Sequence, residues 1–186
     1  MHPEAFQHFQ NKHREFLEQE EERTLLWIRR AKVDDLDSIL SLLQILWPQY
    51  ALDQKRQRTQ IENDLRSGSK AWWVAINQGA AVGLITARIM DVLWHDSPIL
   101  HIEELVVIES WRRKGVAKQL LDTTIQFGKE QHSNKVELDS GFARTESHQF
   151  YEKMGFEFVS KLFSKTILDV ISSASGHSLR SGESNT

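Results

Sequence analysis

The residues with the plainest chemical potential lie between Arg112 and Lys118. The run Arg112-Arg113-Lys114-Gly115-Val116-Ala117-Lys118 follows a β-branched apolar stretch at 105–108. It opens a segment whose side chains Val116, Ala117, Leu120, Leu121, Thr124 and Phe127 fall at helical spacing. The expected local structure is strand, turn and helix. The first N–H groups of a helix lack an intrahelical acceptor, and the helix dipole favours negative charge at that end. Gly115 and Ala117 are small enough to let a bulky anion approach the backbone. Arg112, Arg113 and Lys114 add positive charge. These features together describe a phosphate cradle at a helix N-terminus.

Familiar nucleotide cradles do not fit. There is no G-x-x-x-x-G-K-[ST] and no G-x-G-x-x-G after a strand. The chain has no cysteine, which removes thiolate catalysis, disulfides and cysteine metal sites. His95, His101, His132 and His148 are scattered without H-E-x-x-H spacing, and no metal is expected. No G-x-S-x-G elbow occurs. A formal net charge of -3 gives no bulk attraction to nucleic acid or membrane. The N-terminus is polar, and no apolar run nears the roughly 20 residues of a spanning helix. A soluble cytoplasmic protein is the expectation.

The elements that must position the cradle are readable from periodicity and turn chemistry. Residues 3–23 carry Ala5, Phe6, Phe9, His13, Phe16 and Leu17 on one side of a charged amphipathic helix, ending in an acidic run. This reads as an extension packed on the domain's flank, with a dimer or partner helix as the alternative. A strand is expected at 24–30, a helix at 31–47 and a very polar helix at 52–67. Strands at 71–77 and 80–92 flank Asn77-Gln78-Gly79, a hairpin signal. Further strands are expected at 99–108 and 135–138, with a helix between them to about residue 132. A helix at 145–154 ends at Gly155, and one or two strands follow over 156–167. The order β-α-α-β-β-β-α-β-α-β(β) describes an α/β fold with a mixed sheet: antiparallel hairpins, then a crossover helix that sets two strands parallel. The domains expected are a helical extension at 1–23, one α/β domain at 24–170 and a Ser/Gly-rich disordered tail at 171–186.

Arg112, Gly115 and Ala117 occupy the three defined positions of [R/Q]-x-x-G-x-[G/A] after an L-V-V strand. Phe150-Tyr151-Glu152-Lys153-Met154-Gly155-Phe156 follows at F-Y-x-x-x-G-F. In this order and spacing they resemble the motifs of the GNAT superfamily of N-acetyltransferases, over roughly 25–168. The resemblance implies a GNAT-like fold and acetyl-CoA as co-substrate. It implies that Leu105, Val106 and Val107 pair with the pantetheine arm as though it were a strand. Arg112, Arg113, Lys114, Gly115, Val116, Ala117 and Lys118 would then hold the phosphates. Tyr151 stands where the family often carries the acid that protonates the departing thiolate.

A lysine-like amine has a pKa of about 10 and must lose a proton before it attacks. Glu103 and Glu104, just before Leu105, are the candidate bases. Strand alternation puts one on the substrate side and the other away from it. Glu103, sharing a face with Leu105 and Val107, is the favoured one, acting through water. An N–H of the splayed strand would serve the oxyanion. The chain departs from the family's N-x-x-A slot, reading Arg144-Thr145-Glu146-Ser147. Arg144 or His148 would there bind phosphate or substrate, or cap the helix. Trp47 and Tyr50 are candidate walls of the acceptor pocket. The expected activity is acetyl transfer to a primary amine, on a small molecule, peptide or protein. A CoA-binding interaction module without turnover is the alternative.

Overall fold

The computed structural model describes residues 8, 11–14, 25–50 and 54–165. His8 and 11–14 are helical and exposed. The remainder of the expected 1–23 extension and the 171–186 tail lie outside the described residues.

Five strands form one sheet in the order β1-β2-β3-β4-β5. They are β1 (Trp27–Arg30), β2 (Ala71–Asn77), β3 (Ala80–Met90), β4 (Ile99–Val107) and β5 (Lys135–Leu138). The first three pairings are antiparallel and β4–β5 is parallel. The β2–β3 hairpin turns on Gln78 and Gly79, both at positive φ (46° and 82°), with Asn77 opposite Ala80. That is the two-residue geometry whose twist matches the flanking strands.

Helices cover both faces. On one face lie α1 (Leu36–Leu46) and α2 (Gln54–Ser67). The α1 stripe Leu36, Ile39, Leu40 and Leu43 packs with Ile61 onto Trp72, Val74, Leu84 and Val106. On the other face lies α3 (Val116–Glu130), whose Val116, Leu120 and Leu121 pack on Val82, Ile85, Leu100, Ile102 and Val107. Each such buried aliphatic side chain contributes about 1.5–3 kcal/mol of transfer free energy. Gly83 lets α3 come close, since a Cβ there would stand 3.1 Å from a Leu120 methyl and 3.2 Å from the Val106 carbonyl oxygen. The short α4 (Thr145–Lys153) sets Phe150 and Met154 against the same layer.

One expected boundary moves for a local reason. The helix expected at 31–47 begins only at Leu36, after a 3-10 turn over Val33–Asp35. Ala31 N–H still donates to the Trp72 carbonyl, prolonging the sheet ladder. Asp35 accepts from the Lys32 N–H at 2.7 Å and from both Arg29 terminal nitrogens at 2.6 and 2.7 Å. This fork holds the Asp35 carboxyl below its ordinary pKa.

The strands expected over 156–167 are a correction. Residues 156–165 form no strand, and Phe158, Val159, Leu162 and Phe163 are exposed. Their pattern suits a strand, but a strand requires a paired neighbour, and among the described residues β5 pairs only with β4.

Candidate active site

The cradle begins where β4 ends. Ile108 N–H donates to the Val82 carbonyl, a single 3-10 turn (Glu109–Trp111) buries Trp111, and α3 starts at Val116. Gly115 is the N-cap residue at φ 84°, in the left-handed region, and nothing lies within 4 Å of the Cβ it lacks. The first helical bond closes from Gln119 N–H to the Gly115 carbonyl. The N–H groups of Val116, Ala117 and Lys118 therefore have no acceptor within the helix and face outward. Arg112 Nε donates to the Val107 carbonyl at 3.2 Å, tying the turn to the strand. Lys114 Nζ lies 4.7 Å from the Trp111 ring centroid. Arg113 takes a φ of 60°, and Lys118 pairs with Asp122 at 2.5 Å on the surface.

A gap opens beside β4. The β4–β5 pairing ends at Ile102 opposite Leu138, whereas β4 runs on to Val107. Glu104 N–H points toward β3, donating to Thr86 Oγ1 at 3.2 Å, and Ile108 N–H also points to β3. By alternation the backbone groups of Leu105 and Val107 face the gap, and those of Val106 do not. The Val106 side chain is buried beneath α1 and α2. Among the described residues no strand pairs with this edge, which can accept one extended, hydrogen-bonding chain and leads to the cradle, with the Val107 carbonyl already bound by Arg112 Nε. Open edge, orphan N–H groups and the space at Gly115 fit the pantetheine and diphosphate of CoA.

The two glutamates are not arranged as strand alternation predicts. Thr86 pairs with Glu104 and Ala87 with Ile102, so Glu103 is an inserted residue, a β-bulge. Ile102, Leu105 and Val107 all pack on the α3 side, the first two being three residues apart. Glu103 instead meets Lys70 Nζ at 2.8 Å and Arg88 Nε at 3.3 Å, on the face where Thr86 meets Glu104. The bulge thus sets both carboxylates on the α1/α2 side, and Glu103 does not share a face with Leu105 and Val107. Burial pushes the Glu104 carboxyl above its ordinary pKa; the hydroxyl donated by Thr86 opposes this, and the Glu103 charge reinforces it.

Tyr151 lies on α4, half-buried, with Phe150 and Phe156 at 5.4 and 5.6 Å between ring centroids. Burial raises its phenol pKa, and the Arg144 charge lowers it in part. Arg144 is the N-cap residue of α4, two turns before Tyr151. Its Nη2 donates to the Leu46 carbonyl at 2.9 Å, and its guanidinium stacks 4.5 Å over Trp47. Trp47 in turn meets Tyr50 edge-on at 6.0 Å. Arg144 therefore closes the carbonyl end of α1 and ties the start of α4 to the loop that follows α1. Lys70, Thr86 and Arg88 had no signal in the sequence, because they reach the glutamates only through strand pairing.

The cradle gives a direct test. Gly115→Ala places a methyl in the open space before α3 and costs about 1–2 kcal/mol of left-handed strain. The protein should fold with a lowered Tm, and the Kd for CoA should rise about tenfold or more, a loss of at least ~1.4 kcal/mol. An unchanged Kd by calorimetric titration would rule out phosphate binding there. Alanine is a cleaner probe than valine, whose branched side chain tolerates this φ poorly.

Known proteins share this arrangement. Residues 37–156 match the Acetyltransferase (GNAT) family. An aminoalkylphosphonate N-acetyltransferase of Salmonella typhimurium is 26% identical over 140 residues, 75% of this chain and 90% of that protein. An aminoglycoside N(6')-acetyltransferase type 1 of the same organism is 28% identical over 137 residues, covering 70% and 90%. The solved structure of an aminoglycoside N-acetyltransferase in complex with CoA aligns with a TM-score of 0.69 at 26% identity, covering 76% of this chain and 94% of that one. The cradle, the open β4 edge and these likenesses agree: the chain belongs to the GNAT acetyltransferase family and is an acetyl-CoA-dependent N-acetyltransferase.

Proposed function

We propose that the protein moves an acetyl group from acetyl-CoA to a primary amine by direct attack, with Glu104 as general base and Tyr151 as general acid. The observation that carries this reading is the gap beyond Ile102 and Leu138, which joins an unpaired strand edge to the α3 cradle and has Glu104 on the bordering strand. Acetyl-CoA supplies an activated thioester when bound.

The chain's own groups do the rest. Glu104, half-buried and raised by burial, is closer to the operating pH than an exposed glutamate and takes one proton from the acceptor ammonium, directly or through water. Leu105 N–H, aimed into the gap, donates to the oxygen on which charge develops. Tyr151, kept protonated by burial, gives its proton to the departing sulfur, the second proton lost by the attacking nitrogen as the amide forms returns the phenolate to phenol, and Glu104 gives its proton to solvent. Glu103, bound by Lys70 and Arg88, is less suited to proton transfer, because its carboxylate already serves two cations.

The acceptor is proposed to be a small-molecule amine, as the names of the two Salmonella relatives suggest. Trp47, Tyr50 and Arg144 form one contiguous cluster, proposed as the acceptor wall, and the Arg144 charge acts on Tyr151. Thiol release from acetyl-CoA is the test, with aminoalkylphosphonates, aminoglycosides, polyamines, peptide N-termini and lysine peptides as acceptors. Turnover with a small amine supports the reading. Tight CoA binding without turnover on any acceptor would favour the interaction module.

A further inference from the structure

We propose that Lys70 is a positioning residue for catalysis: with Arg88 it holds Glu103, so that Glu104 alone exchanges a proton with the acceptor amine. This rests on the reading of Glu104 as the base.

An inserted Glu103 puts two adjacent carboxylates on one face of β4, where two unpaired negative charges would repel and one would protonate. The surroundings treat the two unequally. Glu103 Oε2 lies 2.8 Å from Lys70 Nζ, and Glu103 Oε1 lies 3.3 Å from Arg88 Nε. Among the described residues, Glu104 has only the Thr86 hydroxyl as a side-chain hydrogen-bond partner. Lys70 is itself fixed. It directly precedes β2, whose ladder begins at Ala71 opposite Ala87. Its ammonium is also 3.8 Å from Asp64 Oδ2 on α2. Asp64 is 5% exposed, and its other oxygen accepts from Gln60 at 3.0 Å and Ser69 at 3.3 Å.

Among the described residues the charges that act on Glu104 are Glu103 on β4, Lys70 between α2 and β2 and Asp64 on α2, and Arg88 on β3 joins the group through Glu103. Three carboxylates thus stand against two cations, leaving one negative charge uncompensated. One acceptor ammonium completes the balance, and only Glu104 has room in its partners to receive that proton. Burial works against the Lys70 ammonium, but the hydrogen bond to Glu103 and the surrounding carboxylates outweigh it and keep it charged.

Opposite shifts in two variants separate this role from a structural one. Lys70→Met removes a charge that favours ionised Glu104, so the acid limb of the kcat/KM profile should move up by about one pH unit. Glu103→Gln removes a charge that disfavours it, so the limb should move down. Lys70→Arg should restore the wild-type limb. NMR titration of the Glu104 side-chain carboxyl, assigned by its loss in Glu104→Gln, reads the same shifts without any acceptor. A folded Lys70→Met protein with an unmoved limb and an unmoved carboxyl titration would overturn the proposal. Should Lys70→Met fail to fold, Arg88→Met exposes Glu103 from the outer side, and the same upward shift or its absence decides. An acid limb that survives Glu104→Gln would overturn the base reading itself. A limb lost in Glu104→Gln but unmoved in Lys70→Met would overturn only the role of Lys70.

Discussion

Glu104→Gln is expected to lower kcat by about 10²–10⁴-fold, the usual contribution of a positioned general base. The substitution keeps the shape of the side chain and a hydrogen bond to Thr86, and it removes the proton acceptor. In the proposed reading CoA is held at the β4 edge and the α3 cradle through backbone groups, so its Kd should change little. The acid limb of kcat/KM should disappear, because no group is left whose deprotonation switches the enzyme on. The sign follows from burial: Glu104 is raised above the ordinary glutamate value, so wild-type activity should already fall as pH drops toward the upper edge of the carboxylate range. Steady-state profiles of wild type and variant with one fixed acceptor provide the check. A loss below about threefold with chemistry rate-limiting would remove Glu104 from proton transfer.

Tyr151→Phe should also cost about 10²–10⁴-fold in kcat. Phenylalanine keeps the ring contacts with Phe150 and Phe156, so folding and CoA affinity should be nearly those of wild type. The loss should appear in kcat and kcat/KM together, the pattern of an interaction made mainly in the transition state. The phenol must be protonated to act. Burial raises its pKa and the Arg144 charge offsets part of that rise, so the active form persists throughout the neutral range. An activity within about threefold of wild type would leave water as the proton donor and make Tyr151 a packing residue with a polar tip.

Much of the architecture was legible in the sequence because it rests on local rules. Asn77-Gln78-Gly79 specifies a two-residue hairpin, since two consecutive positive φ values are needed and Gly79 supplies one without strain. The apolar stripes of 36–46 and 116–130 specify helices that each bury one face, whatever lies opposite. Gly115 before a periodic segment specifies a helix start with free N–H groups, and the cradle follows from that alone. Those features also carried the family resemblance.

The candidate carboxylates were legible only as a pair. Strand alternation assigns Glu103 and Glu104 to opposite faces, and nothing in Ile102-Glu103-Glu104-Leu105 marks an inserted residue. Whether β4 bulges is decided by its register against β3, and that register follows from the packing of Ile102, Leu105 and Val107 beneath α3. The partners that divide the work between the two glutamates, Lys70, Arg88 and Thr86, lie on segments that meet β4 only after the sheet forms. Arg144 is a similar case. Its side chain closes a helix end 98 residues away, and no periodicity encodes a contact at that separation. The apolar pattern at 156–165 shows the limit from the other side. Side-chain alternation describes a strand's faces, but a strand exists only where a neighbouring edge takes up its N–H and C=O groups. Local propensity and turn chemistry therefore determined the elements and the helix start of the cradle, while strand register and the long-range pairing of charges, both properties of the packed sheet, decided that Glu103 meets two cations and Glu104 a hydroxyl.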